Sequence, residues 1–232
     1  MEFCLVNGEA ATFLLEEECY SGVAKIAEKV CGDVELVTGI RPVTRRISKT
    51  YLDEQKESEY VVLVGTVGKS SVLEKLNGRV PLDKIRGKRE SFLFQIVDNG
   101  TKATLVIAGS DKRGTIYGLF HLSEYMGVSP WVHFSDVLPE KRKKLTLTEK
   151  DNMISREPSV KYRGFFINDE WPAFVTWCNR RFGGFGTSVY EHVFELLLRL
   201  KGNYLWPAMW SARFGDDGPG LANAKLADEY GI

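Results

Sequence analysis

One stretch constrains the fold more than any other. Between Val160 and Trp206 a strand pattern, a capped helix and a second strand pattern follow in that order. Val160 to Ile167 ends in the apolar run Phe165-Phe166-Ile167. Ser188-Val189-Tyr190-Glu191 has the capping-box form, in which the hydroxyl and the carboxylate each satisfy an orphan backbone N–H at a helix start. The predicted helix, VYEHVFELLLRLK, is apolar on most of its surface and stops at Gly202, and Asn203 to Trp206 then reads as a strand. Such an order returns the second strand beside the first in the same direction, a βαβ unit. Leu221 to Tyr230 predicts a further helix, with Gly231-Ile232 where a third strand would begin. Parallel sheets are normally covered on both faces, and a complete (β/α)₈ barrel needs roughly 250 residues. The expectation is therefore the front part of something longer, a truncated (β/α)₈ TIM barrel.

The first half also alternates strands and helices. Ser21 is positioned to cap a helix with Val23, Ile26, Ala27 and Val30 on one face, ending at Gly32. Tyr60 to Val64 is a β-branched run that reads as a buried strand, and Ser71-Val72-Leu73-Glu74 is another capping box. Phe92 to Val97 and Ala103 to Ala108 flank Asp98-Asn99-Gly100, a hairpin signal. GTIYGLFHLSEYMG places Ile116, Leu119, Phe120 and Tyr125 at helical spacing. The fold class expected is α/β: an N-terminal domain with a mixed sheet over 1–138, a charged linker over 139–159, and the first βα units of the barrel over 160–232.

Charge and cysteine usage narrow the function. Lys plus Arg and Asp plus Glu both number 31, so the net charge is zero and there is no electrostatic footprint for nucleic acid. Lys141-Arg142-Lys143-Lys144 is a local basic run of the kind that solvates a linker. No apolar run approaches the length of a membrane span, and the N-terminus lacks the basic start and apolar core of a signal peptide. As it stands the chain reads as cytoplasmic, and as secreted or periplasmic if a leader has been trimmed. Cys4, Cys19, Cys31 and Cys178 form no C-x-x-C pair, and His121, His133 and His192 have no metal spacing, so a metal site is not expected. Gly65-Thr66-Val67-Gly68-Lys69-Ser70 resembles a phosphate loop, but that motif needs a glycine where Leu63 stands.

RGFFINDEWP, Arg163 to Pro172, carries the chemistry. Its apolar run ends abruptly at Asn168, Asp169 and Glu170. Adjacent side chains on a strand point to opposite faces. The acid and base of a glycosidase instead oppose each other, about 5–5.5 Å apart in retaining enzymes and about 6.5–9.5 Å in inverting ones. At most one of Asp169 and Glu170 then acts directly, and the other holds a loop or a helix start. From spacing alone, a catalytic site and a structural turn are both open. Trp206-Pro207-Ala208-Met209-Trp210 ends a strand with two indoles, which suit a sugar ring or ordinary core packing.

Ser110 to Trp131, RGFFINDEWP, Phe182 to Trp210 and Leu226 to Ile232 together resemble glycoside hydrolase family 115, the xylan α-1,2-glucuronidases. The resemblance implies removal of glucuronic acid or its 4-O-methyl form from xylan side branches, with inversion and without metal or organic cofactor. It implies an N-terminal α/β domain preceding a (β/α)₈ barrel, and a homodimer of the full-length parent. Asn168, Asp169 and Glu170 match the end of the first barrel strand. Trp206 and Trp210 match the second strand and its loop, which line the sugar pocket. Glu124 and Trp131 match a helix end and loop approaching the mouth. Asp169 and Glu170 are the catalytic candidates, with Asp169 favoured as the one facing the sugar; Asn168, Trp206, Trp210, Glu124 and Trp131 are the substrate-binding candidates. The expected partners are xylan-derived oligosaccharides bearing glucuronic acid. Strands beyond the second carry the family's further carboxylates, so residues 1–232 alone are expected to be inactive. The alternative reading is a non-catalytic carbohydrate-binding or interaction domain.

Overall fold

The computed structural model describes residues 1–51, 59–98, 100 and 102–232. It divides into two compact units, Met1–Ser159 and Val160–Ile232. No helix among the described residues is long and apolar enough to cross a membrane.

In unit 1 the strands are β1 (Glu2–Asn7), β2 (Glu9–Ala10), β3 (Thr12–Glu16), β4 (Thr44–Ile47), β5 (Val61–Thr66), β6 (Phe92–Asp98), β7 (Ala103–Gly109), β8 (Lys144–Thr148) and β9 (Met153–Ile154). The helices are α1 (Ser21–Thr38), α2 (Ser71–Glu74) and α3 (Lys112–Tyr125). Six strands form a mixed sheet in the order β4-β3-β5-β7-β6-β9. The first four run parallel, while β6 runs antiparallel to both β7 and β9. The α/β class with a mixed sheet is thus what the strand and helix patterns predict. The β6–β7 hairpin pairs from Phe92↔Gly109 to Asp98↔Ala103. Of its turn motif, Asn99 lies outside the described residues.

Two local expectations shift. Helix α1 runs through Gly32 and ends at Gly39, whose φ of 78° provides the left-handed cap. The apolar face continues with Val34 and Val37, both fully buried, and that burial outweighs the roughly 1 kcal/mol that an internal glycine costs. Helix α2 is a single turn capped by Ser70, whose hydroxyl accepts from Leu73 N at 3.1 Å, one residue before the predicted cap. Beside it, the resemblance to a phosphate loop has a physical answer. The buried Glu16 carboxylate accepts from Ser71 N at 3.1 Å and Val72 N at 3.3 Å, and Glu74 accepts from Gly68 N at 2.9 Å. The protein's own carboxylates hold the amides that an anion would need.

The expected linker over 139–159 is corrected by the pairing of its residues. Strand β8 lies antiparallel to β1, with Leu147 opposite Phe3, and β9 pairs with Phe94 and Leu93. Leu145 and Leu147 are buried while Lys144 and Thr148 are exposed. This is the period-two alternation of a strand, compressed into KLTLT within a charged stretch.

Unit 2 contains β10 (Gly164–Phe166), α4 (Ala173–Phe182), α5 (Thr187–Arg199), β11 (Tyr204–Trp206) and α6 (Ala222–Tyr230). Strands β10 and β11 are parallel, in the register Gly164↔Tyr204, Phe165↔Leu205 and Phe166↔Trp206. The crossover predicted with one helix holds two, since Ala173–Phe182 is also helical. Helix α5 starts at Thr187, so Ser188 lies in its first turn rather than at its cap. Strand β10 is shorter than Val160 to Ile167. Ahead of it, Arg163 N donates to Asn203 Oδ1 at 2.9 Å, and Arg163 O accepts from Asn203 N at 2.8 Å and Tyr204 N at 3.1 Å. This clip fixes the register before the ladder begins. Gly164 is required there, because a Cβ would stand 1.6 Å from Tyr204 O.

Candidate functional site

Parallel strands bring their carboxyl ends to one rim. In unit 2 the rim is made by the residues that follow β10 and those that follow β11. Ile167 N donates to Trp206 O at 3.0 Å, the last bond between the strands before they part.

Beyond it the Asp169–Glu170 pair divides. Asp169 is 6% exposed. Its Oδ1 accepts from Trp210 N at 3.1 Å. Its Oδ2 accepts from Ala212 N and Ser211 Oγ, both at 2.8 Å, and from Ser211 N. Burial pushes the Asp169 carboxyl up, but the N–H of Ala212, the hydroxyl and N–H of Ser211 and the N–H of Trp210 outweigh it. They hold the group well below the ordinary carboxylate range. Asp169 is therefore ionised and bound to the loop after β11. Glu170 is exposed, and its Oε1 accepts from Asn168 Nδ2 at 2.7 Å. The oxygens of Asp169 are committed to the loop after β11, and Glu170 is the accessible carboxylate of the pair.

The indoles also stand at this rim. Trp206 is 51% exposed, packs edge-on against Phe166 at 5.7 Å, and its Nε1 donates to Met209 Sδ at 3.3 Å. Trp210 is 76% exposed, and its backbone is tied to Asp169. The structure thus brings Asn168, Asp169, Glu170, Trp206 and Trp210 to one end of two paired strands. Glu124 and Trp131 lie in unit 1. Glu124 lies in the last turn of α3 with its carboxylate 3.8 Å from His121 Nδ1, and Trp131, exposed, opens a turn by accepting from Phe134 N at 2.8 Å.

Two residues of the rim escape notice in the sequence. Ser211 gives Asp169 both its hydroxyl and its amide. Tyr190, fully buried on α5, lies close enough to Asp217 and Asp169 that, with burial as the main cause, its hydroxyl is pushed above its ordinary range. In the sequence Tyr190 is only one residue of a helix apolar on most of its surface. No group of three or more His, Cys, Asp or Glu able to hold a metal occurs among the described residues.

Comparison with known proteins places this arrangement. Residues 155–232 match the model of glycosyl hydrolase family 115, and residues 24–122 match that of the glycosyl hydrolase family 67 N-terminus. The solved structure of BtGH115A, a family 115 4-O-methyl-α-glucuronidase described as specific for decorated arabinogalactans, superposes with a TM-score of 0.83 at 31% identity, over 99% of this chain. The chain spans 29% of that solved chain. The structure of CpGH84D superposes with a TM-score of 0.55 at 12% identity, over 100% of this chain and 33% of that one, a likeness of fold. No curated protein matches. An α/β unit that matches a glycosyl hydrolase N-terminus, followed by parallel βα units with an acid- and indole-bearing rim, defines the class. Within it, the chain corresponds to the N-terminal portion of glycosyl hydrolase family 115.

Proposed function

We propose that this chain forms the front part of an α-glucuronidase that removes glucuronic acid, or its 4-O-methyl ether, from the side branches of a polysaccharide such as xylan. On this reading unit 1 is an accessory domain, and unit 2 supplies the first two strands of a (β/α)₈ barrel. Active sites of that fold lie at the carboxyl ends of its strands. The observation that carries the proposal is the division of labour at that end. Asp169 pins the loop of Trp210, while Glu170 stays accessible beside Asn168. The indole of Trp206 is placed to pack on the apolar C–H face of a pyranose.

Inverting hydrolysis needs one carboxylic acid to protonate the leaving oxygen and one carboxylate to activate water on the opposite face. Of the adjacent pair, Glu170 is assigned contact with the substrate and Asp169 a positioning role. Residues 1–232 then act as one wall of the site: they bind uronic-acid-bearing glycans and do not hydrolyse them. This favours, for the polypeptide by itself, a glycan-binding role. Glu124 and Trp131 are proposed as further substrate-binding residues carried by unit 1. The homodimer implied by the family belongs to the same proposal, as does a periplasmic or extracellular site of action, where polysaccharide is met.

Calorimetric titration of residues 1–232 with glucuronic acid and with aldouronic oligosaccharides tests the reading. Saturable heat at millimolar ligand is expected, weakened by Glu170→Gln and Trp206→Ala and without release of free uronic acid. Absence of binding by the parent chain, or heat unchanged in both variants, refutes it.

A further inference from the structure

Strand β6 has the sequence FLFQIVD, and Phe92 to Val97 carry no charge, proline or glycine. Segments of that length and composition pair with copies of themselves when an edge is free. One edge of β6 is closed along its whole length by β7. The other edge is closed differently. Its ladder to β9 covers only Leu93↔Ile154 and Phe94↔Met153. On either side of those pairs, side chains of the same segment take over. Phe92 N donates to Ser155 Oγ and Ile96 N donates to Asn152 Oδ1, both at 2.8 Å. Ser155 N donates back to Phe92 O at 2.8 Å. The segment is anchored at both ends. Upstream, β8 pairs with β1, and Thr148 N donates to Asp151 Oδ2 at 2.6 Å. Downstream, Pro158 O accepts from Arg89 Nη2 at 2.7 Å. All these partners belong to unit 1, so the closure is internal to that unit.

A free strand edge is a template for another chain. Here a hydroxyl and an amide oxygen satisfy N–H groups of β6, and the main-chain ladder ends after two residue pairs. We propose that residues 149–158 form a strap that keeps β6 from pairing with a second copy of this chain, with Asn152 and Ser155 as its two fasteners. A second copy is the occupant that suits the freed edge. Two β6 strands set antiparallel about a two-fold axis meet as one surface with itself, and their main chains bond the N–H groups that the strap has released. The inference stands apart from the proposed function, because it uses no residue of the rim.

The test compares the 232-residue parent with the double variant Asn152→Ala/Ser155→Ala and with Ser155→Thr, which keeps a hydroxyl acceptor. Sedimentation velocity reads mass against concentration, and amide hydrogen exchange reads Phe92 and Ile96. In the dilute alanine variant both amides are expected to exchange about fivefold faster than in the parent, the loss of one hydrogen bond each. As concentration rises, that variant is expected to show a larger dimer fraction than the parent, and the two amides to regain protection. Ser155→Thr is expected to follow the parent. Asn152→Ala and Ser155→Ala singly, each releasing one fastener, serve where the double change prevents folding, and are expected to show the same effects to a lesser degree. Alanine variants whose mass follows the parent's at every concentration overturn the inference. So do exchange at both amides that keeps the parent's rate, association without the return of protection at Phe92 and Ile96, and a threonine variant that associates as the alanine variants do.

Discussion

Replacing Asp169 by alanine removes the acceptor of four hydrogen bonds, from Trp210 N, Ser211 N, Ser211 Oγ and Ala212 N. A hydrogen bond to a charged group contributes about 1.5–3 kcal/mol. The four do not add, because they share one carboxylate and because Trp210 and Ser211, both exposed, regain water when released. Ala212, buried at 4% exposure, does not, and its stranded N–H costs about 1–3 kcal/mol. The expected loss is about 3 kcal/mol for Asp169→Ala. For Asp169→Asn it is about 1–2 kcal/mol, since one oxygen remains but the new amide faces an N–H that it cannot accept.

Urea unfolding followed by tryptophan emission suits the measurement, because four of the five tryptophans, Trp171, Trp177, Trp206 and Trp210, lie in unit 2. The pH dependence has a defined sign. The folded Asp169 carboxyl titrates below its ordinary value of 3.8, so its contribution is complete above that pH and is lost as pH falls towards the folded value. The gap between parent and Asp169→Asn is therefore smaller at about pH 3 than at about pH 7. An asparagine variant as stable as the parent at neutral pH, or a gap that widens in acid, refutes the assignment of Asp169 as the pin of this loop.

Other positions give independent checks. Tyr190→Phe removes a buried hydroxyl that has no partner among the described residues, and is expected to stabilise unit 2 by about 1 kcal/mol, raising its melting temperature by about 4–8 °C in calorimetry. Gly109→Ala puts a Cβ 2.0 Å from Thr115 N, which displaces the start of α3 and lowers unit 1 stability by about 3 kcal/mol in circular-dichroism melts. Glu16→Ala strips α2 of the acceptor for Ser71 N and Val72 N, at about 1–2 kcal/mol by urea titration.

How far the chain could be read depended on whether its signals were local. The β6–β7 hairpin and α3 were legible because alternation, turn residues and helical spacing each lie within a few neighbours. Helix α4 has a weak local signal, because AFVTWCNRRF mixes β-branched, aromatic and asparagine residues of modest helix propensity. Its markers were at the ends: Pro172 before it, Arg180 and Arg181 in the last turn, and Gly183 at φ 78° after it. Strand β8 was hidden by the charged run before it, and its pairing with β1 is set by residues over a hundred positions away. At the rim, adjacency showed that Asp169 and Glu170 diverge. Which one faces outward is decided by amides 41 to 43 residues later, which no local pattern records.

The divergence itself explains why two acids stand side by side at a strand end. On the proposed function, the rim needs an accessible carboxylate and a loop stiff enough to hold its aromatic residues in place. Neighbouring side chains cannot share one ligand, but they can serve one site from opposite sides of the backbone. Glu170 faces solvent beside Asn168, and Asp169 reaches back to hold the loop that carries Trp210. The two isosteric changes therefore separate. Glu170→Gln is expected to leave the urea midpoint unchanged and to weaken uronic-acid binding. Asp169→Asn is expected to lower both, because a loosened loop no longer presents its indole. Equal effects of the two variants on stability would show that the pair acts as one acidic cluster and not as a ligand contact backed by a loop anchor.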